Sequence, residues 1–206
     1  MYARTTALEA TPSSIDAGIA HVRDTVMPKL EGMAGYVGLS LLADRTSGRC
    51  IITTAWDSEE TMRSSAEAVL EVRRRAAEAF GGGSPTVDEW EIAVLHRDRE
   101  AGEGAAVRVT WAHVDPDQID AGIEVFKAAL PAMQEIEGHC SASLLVDRAS
   151  GRGVSSVAYE SADAMERNQA EMDRLKGSVT NEAAAQILDE HDFELVIAHL
   201  RVPEMA

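Results

Sequence analysis

The side chains best suited to chemistry lie in the second half of the chain. His113 and His191 fall where the first half carries Glu9 and Asp88. The first strand of each half should end beside the start of the last one. That places the two imidazoles together as a general base working near neutral pH. Trp111 shares the strand face of His113, and Asp192 adjoins His191. The plainer reading is a pair of solvated strand-end histidines, and two histidines alone do not make a metal site. Arg108 and its equivalent Arg4 sit inside first strands, where a charge is costly unless paired. Such an arginine either holds a phenolate or carboxylate in a pocket, or reaches an acid or water at the strand end. Trp56 and Tyr159 close a strand that runs antiparallel to the first, so each neighbours its own arginine. Arginine and aromatic ring together can sandwich a planar ligand, although core packing explains the rings equally. Ser143, with Ser141, Ser155 and Ser156 on the same hairpin, gives the second half a mildly polar lining. The catalytic candidates are thus His113, His191 and Arg108, with Trp111, Tyr159, Ser143, Arg4 and Trp56 as ligand contacts.

What must position these groups is a duplicated unit. Ile15-Asp16-Ala17-Gly18-Ile19 is echoed by Ile119-Asp120-Ala121-Gly122-Ile123. The hairpin Ser40-Leu41-Leu42-Ala43-Asp44-Arg45-Thr46-Ser47-Gly48-Arg49 is matched by Ser143-Leu144-Leu145-Val146-Asp147-Arg148-Ala149-Ser150-Gly151-Arg152. The second match lies one residue closer than the first, so the second copy is one residue shorter in between. Such self-similarity across a whole chain is the mark of a repeat.

Each copy reads as strand, helix, strand, strand, helix, strand. Tyr2 to Glu9 and Val107 to Val114 form the first strands. Thr11-Pro12 and Asp115-Pro116 have the look of a capping side chain before proline at the first helical position. Apolar residues at Ile15, Ile19, Val22 and Val26, and at Ile119, Ile123, Phe126 and Leu130, define one helix face. An Asp-Arg-x-Ser-Gly-Arg turn joins two apolar strands into a hairpin. Ser58 and Ser161 cap second helices reaching about Phe80 and Leu188, and Glu89 to His96 and Asp192 to Leu200 are the last strands. Right-handed crossovers then give a four-stranded antiparallel sheet in the order 4-1-3-2 with both helices on one face. The fold class is α+β: two tandem ferredoxin-like βαββαβ repeats forming an intrachain dimeric α/β barrel. Residues 1–97 form the first repeat, 98–105 a charged, glycine-rich linker and 106–206 the second.

With 19 basic and 35 acidic residues the net charge is −16, which repels phosphate backbones and anionic headgroups. Nucleic acid and membranes are therefore not expected partners. No segment has the roughly 20 apolar residues of a membrane span and no signal-like start is present, so the expected location is the cytoplasm. Cys50 and Cys140 occupy unequal places in the two copies and should be reduced and buried. Gly81-Gly82-Gly83-Ser84-Pro85 lacks the lysine of a phosphate loop and reads as a flexible connection or lid. Arg73-Arg74-Arg75 reads as a solvated helix face. The expected partner is a small molecule, with the internal pseudo-dimer free to pair further as a homodimer.

Ala55-Trp56-Asp57-Ser58-Glu59-Glu60, with its twin Ala158-Tyr159-Glu160-Ser161, resembles the strand end and helix cap of the dimeric α/β-barrel superfamily, in particular the antibiotic-biosynthesis-monooxygenase-like proteins. The resemblance covers both halves. It implies binding of a small, aromatic molecule, either as a cofactor-independent monooxygenase or as a non-catalytic ligand-binding or protein-interaction module. Thr6 and Thr110 fall near the first-strand asparagine of the haem-degrading branch, and Ser65 and Asn168 near the histidine common in the wider family. Thr110 and Asn168 join the ligand contacts on that ground. The second helices carry neither the histidine ligand nor the tryptophan of the haem branch, so haem degradation is disfavoured and no cofactor is expected.

Overall fold

The computed structural model describes residues 1–205. Its strands are β1 (Tyr2–Glu9), β2 (Tyr36–Ala43), β3 (Arg49–Trp56), β4 (Thr86–Arg97), β5 (Ala106–His113), β6 (His139–Asp147), β7 (Arg152–Tyr159) and β8 (Gln186–Leu200). Hydrogen bonding orders them β1-β3-β2-β8-β5-β7-β6-β4 in a closed antiparallel barrel, so the fold is α+β as the duplicated pattern requires. The helices of the first repeat are α1 (Ile15–His21), α2 (Met27–Glu31), α3 (Glu59–Ser64) and α4 (Ala66–Ala79). Those of the second are α5 (Ile119–Gln134), α6 (Ala162–Arg167) and α7 (Gln169–Glu182).

Two compact units emerge, and their limits differ from the repeat boundaries. One is Met1–Trp90 with Glu194–Val202, the other Glu91–Phe193 with the residues from Pro203 on. The chain therefore passes from one unit to the other in the middle of β4 and again in the middle of β8. In the first unit the end of β8 pairs with β2, Leu41 opposite Ile197, to complete β1-β3-β2. In the second the end of β4 pairs with β6, Leu95 opposite Ser143, to complete β5-β7-β6.

Each sheet carries its own apolar core. Ile15, Ile19, Val22, Val26 and Leu30 bury the helix face of the first unit with Phe80 and Leu41. Ile119, Ile123, Phe126, Leu130 and Met133 do so in the second with Tyr159 and Met165. Removing such side chains from water stabilises each unit by about 25 cal/mol per Å² of apolar surface.

The one-residue difference between the copies has a visible home. α1 and α2 are separated by a π-helical turn at Val22–Val26, so the first helix runs as segments of 7, 5 and 5 residues. Its counterpart α5 is one unbroken α-helix of 16. The wider π turn absorbs the extra residue without rotating the apolar face off the sheet.

Local punctuation follows the sequence at the second helices: the Ser58 and Ser161 hydroxyls accept the Thr61 and Ala164 amides. The hairpins also turn as expected, Asp44 accepting from the Thr46 amide with Gly48 at φ 82°, and Asp147 accepting from Ala149 with Gly151 at φ 73°. Three expectations need correction. Thr11 and Asp115 make no capping bond; Thr11 donates to the Gly81 carbonyl instead, and each proline opens a short 3₁₀ turn. The second helices break at Ser65 and Asn168, where the Ser65 hydroxyl donates back to the Met62 carbonyl and the Asn168 amide to that of Ala164. Finally, α7 ends at Glu182 and β8 begins at Gln186, so residues expected in a helix lie on a strand. Cys50 and Cys140 are free and buried, and burial pushes the Cys50 thiol up to about 11.

Candidate functional site

In the second unit a cavity of about 120 Å3 lies between the sheet and the helices α5 and α7. Strand alternation selects its floor: Arg108, Thr110 and Ala112 from β5, Gly153, Ser155 and Val157 from β7, Leu144 and Val146 from β6. Ile123, Phe126 and Met133 of α5 and Met172, Lys176 and Val179 of α7 form the walls, with Ala183 and Ala185 beyond the helix end. The equivalent space in the first unit is about 40 Å3, lined by Arg4, Thr6, Trp56 and Arg73 among others.

Side-chain volume explains the difference. Phe80, fully buried at the end of α4, presses its ring against Gly18, where a Cβ would overlap it. Its counterpart in the second repeat is Ala183, whose methyl stands 4.0 Å from where a Cβ on Gly122 would lie. On the strands Leu8, Cys50 and Ile52 are replaced by Ala112, Gly153 and Ser155. Bulk is added elsewhere on the lining, by Phe126 for Val22, Met172 for Val69, Val179 for Ala76, Val146 for Ala43 and Val114 for Ala10. Interiors pack at near-crystal density, so a large local loss such as that from Phe80 to Ala183 leaves space where the added groups do not reach.

One end of the cavity is polar. Arg108 Nε and Nη2 donate to the two oxygens of Asp192 at 2.7 and 2.8 Å, a fork that raises the guanidinium pKa. Thr110 donates to Glu190 at 2.8 Å, and Lys176 Nζ reaches Glu190 at 2.8 Å and Asp173 at 2.9 Å. Burial pulls the Lys176 ammonium down, but the bonds to Glu190 and Asp173 outweigh it and the net shift is upward.

The expected site residues fall into three groups. Arg108 and Thr110 line the cavity. Tyr159 is buried in the same core, stacked edge-on to His139 at 6.3 Å, its phenol pushed up to about 12 by burial. Trp111, His113 and Ser143 alternate onto the strand faces away from the cavity-lining positions, and His113 lies beside the turn at Gly151. His113 and His191 are not brought together. The bonds from Arg108 to Asp192 and from Thr110 to Glu190 set the neighbourhood of His191 beside the middle of β5, whereas His113 ends that strand next to the turn at Gly151; His191 packs against Phe193 at 4.9 Å. The early start of β8 is the cause. Asn168 spends its amide on the Ala164 and Glu137 carbonyls at the α6–α7 junction.

In the first unit Arg4 is 3% exposed and donates to Glu89, to Ser65 and to the Met62 carbonyl, the last at 2.7 Å. Trp56 is fully buried, donates to Thr54 and lines the small cavity. Arg74 and Arg75 pair with Glu71 on a solvated face as expected, but Arg73 turns inward to that cavity. Its equivalent is Lys176. Lys176, Glu190 and Ala183 were not singled out from sequence; aligning Phe80 with Ala183 and Arg73 with Lys176 is the signal that finds them. Among the described residues no group of three histidine, cysteine or acidic side chains is placed to hold a metal, and the cavity lining offers no imidazole.

This sheet and these helices define a duplicated ferredoxin-like α/β barrel fold. An anthrone oxidase-like protein superposes at a TM-score of 0.68, covering 96% of this chain and 92% of its own at 14% identity. A ferredoxin-fold protein related to antibiotic biosynthesis monooxygenases, from Listeria monocytogenes 4b F2365, does so at 0.53, with 94% of each chain covered and 9% identity. LmHde, a heme-degrading enzyme from Listeria monocytogenes, superposes at 0.55, covering 94% and 99% at 10% identity. At these identities the likeness is one of fold. No family profile matches the chain. Rv2557 of Mycobacterium tuberculosis H37Rv is 55% identical over 206 residues, all of this chain and 92% of its own, and Rv2558 of the same strain is 51% identical over 207, all of this chain and 87% of its own. The chain belongs to the family of these two proteins.

Proposed function

We propose that the second repeat is a binding site for a small, aromatic-sized molecule and that the first repeat is its structural partner. The observation that supports this is the cavity beside Ala183, opened by four small residues where the first repeat has Phe80, Leu8, Cys50 and Ile52. A dry cavity of about 150 Å3 suffices to bind benzene, so one of about 120 Å3 that opens toward the polar cluster accommodates a ring. Binding of single-ring compounds, followed by the rise in Tm they cause, tests the reading. Ala183→Phe should abolish the rise, and an undiminished rise in that variant refutes it.

A second reading, cofactor-independent oxidation of an electron-rich aromatic, is favoured by the fold likeness to the anthrone oxidase-like protein. In it the reacting carbon of the substrate becomes a carbonyl, taking one atom of dioxygen, and the two hydrogens that the substrate loses leave with the other atom as water. Arg108, on the cavity lining, is the candidate for stabilising a substrate anion; His113 and His191 do not line the cavity and could act only on a substrate that reaches beyond it. Oxygen uptake with anthrones and hydroquinones, compared between the unaltered protein and Arg108→Ala and His113→Ala, decides it: equal rates remove those residues from any mechanism.

A further inference from the structure

The partners of the lining groups say more about the occupant than the volume does. Arg108 is satisfied by both oxygens of Asp192, Lys176 by Glu190 and Asp173, Thr110 by Glu190, and Thr180 by the Lys176 carbonyl. Carboxylates outnumber cations three to two in this cluster. An anionic ligand would have to displace Asp192 or Glu190 and then sit beside the carboxylates it displaced, which like-charge repulsion opposes. An ammonium in the apolar part would give up its hydration and find no acceptor in Ala112, Ile123, Phe126 or Val157.

Ser155 is different. It stands in the middle of β7, opposite Thr110, where the first repeat has the buried Ile52. Its hydroxyl lines the cavity and makes no hydrogen bond to the described residues. A hydroxyl both donates and accepts, and here both capacities face the open space.

Resting on the reading of this cavity as a ligand site, we infer that its occupant is an uncharged molecule of single-ring size, apolar over most of its surface, with one hydroxyl or carbonyl hydrogen-bonded to Ser155. Ser155 is thereby the specificity-determining residue; the carboxylates around Arg108 and Lys176 exclude anionic analogues, and the apolar lining opposes the dehydration of cationic ones.

The test is titration of the intact protein with toluene, benzyl alcohol, benzoate and benzylamine, read by methyl NMR at Ile123 and Val179, with Ile19 of the first repeat as reference. Benzyl alcohol should shift Ile123 and Val179 but not Ile19, and bind at least ten-fold tighter than benzoate or benzylamine. Ser155→Ala should weaken benzyl alcohol about ten-fold and leave toluene unchanged. Benzoate or benzylamine binding as tightly as the alcohol at the same methyls overturns the inference and leaves the cavity reading standing. So does a Ser155→Ala effect shared by toluene and the alcohol, or absent from both. If none of the four compounds moves Ile123 or Val179, the inference and the cavity reading fall together.

Discussion

In the first repeat Phe80 fills the space that the second leaves open beside Ala183, although both repeats keep the same caps, hairpin turns and helix faces. Duplication preserved the residues that set backbone direction and released those that set volume. Several of the released positions converge on one place, between the sheet and the second helix, where the second repeat has its cavity. The charged pairs diverged in parallel. Arg4 is enclosed by Glu89, Ser65 and a carbonyl, whereas Arg108 and Asp192 form a fork whose acid is 44% exposed.

The largest test of this contrast is Phe80→Ala. Loss of a fully buried ring should cost about 3–5 kcal/mol in denaturant unfolding and open a second cavity. A cost below about 1 kcal/mol would mean the first core is not as tightly filled as Gly18 and Phe80 indicate. Next is Arg4→Met, which removes an enclosed charge with several donors and should destabilise by about 3 kcal/mol, against about 1 kcal/mol for Arg108→Met. Equal losses would erase the distinction between a structural and a cavity-facing arginine.

Acid separates the repeats in another way. His139 donates from Nδ1 to Asp98 at 2.6 Å and is fully buried, and its counterpart in the first repeat is Tyr36. Burial lowers the His139 pKa more than Asp98 raises it. Because the folded value lies below the unfolded one near 6.5, protonation favours unfolding, and stability is lost as pH falls below about 6.5. The Tyr36 phenol, pushed up to about 12 by burial, does not titrate there. Hydrogen exchange at pH 5 against pH 7 should therefore show protection falling around β6 before β2, and His139→Tyr should level the two. Last, Ala184 holds φ at 50° where the first repeat has Gly81, the C-terminal position that favours glycine. Ala184→Gly should raise stability by about 0.5–1 kcal/mol, and a measured loss would place the strain elsewhere.

The fold was legible because its evidence is repeated: the Asp-Arg-x-Ser-Gly-Arg turn and the Ser58 and Ser161 caps each occur twice and act locally. The site was legible only in part. Arg108 and Thr110 stand out as polar residues on a central strand, and they line the cavity. The expected meeting of His113 and His191 depended on where β8 begins, and residues 186–191 carry no strong local signal against continuing a helix. Cavity volume is harder still, since it is a sum over Ala183, Ala112, Gly153 and Ser155, which no single motif announces. Arg73 reads from sequence as a surface charge because helix periodicity does not record how far a long side chain bends inward.

The crossing of β8 from one unit to the other sets a timetable for synthesis. β2 is apolar from Tyr36 to Ala43 apart from Ser40, and its outer edge is closed only by residues 194–200. At about 5–20 residues per second the ribosome takes on the order of ten seconds or more to deliver that strand after β2 has formed. Throughout this interval the first sheet presents an open edge able to pair with any passing strand. Breaking the chain between the repeats would leave the closing of that edge to the association of two separate chains, and so make it depend on concentration.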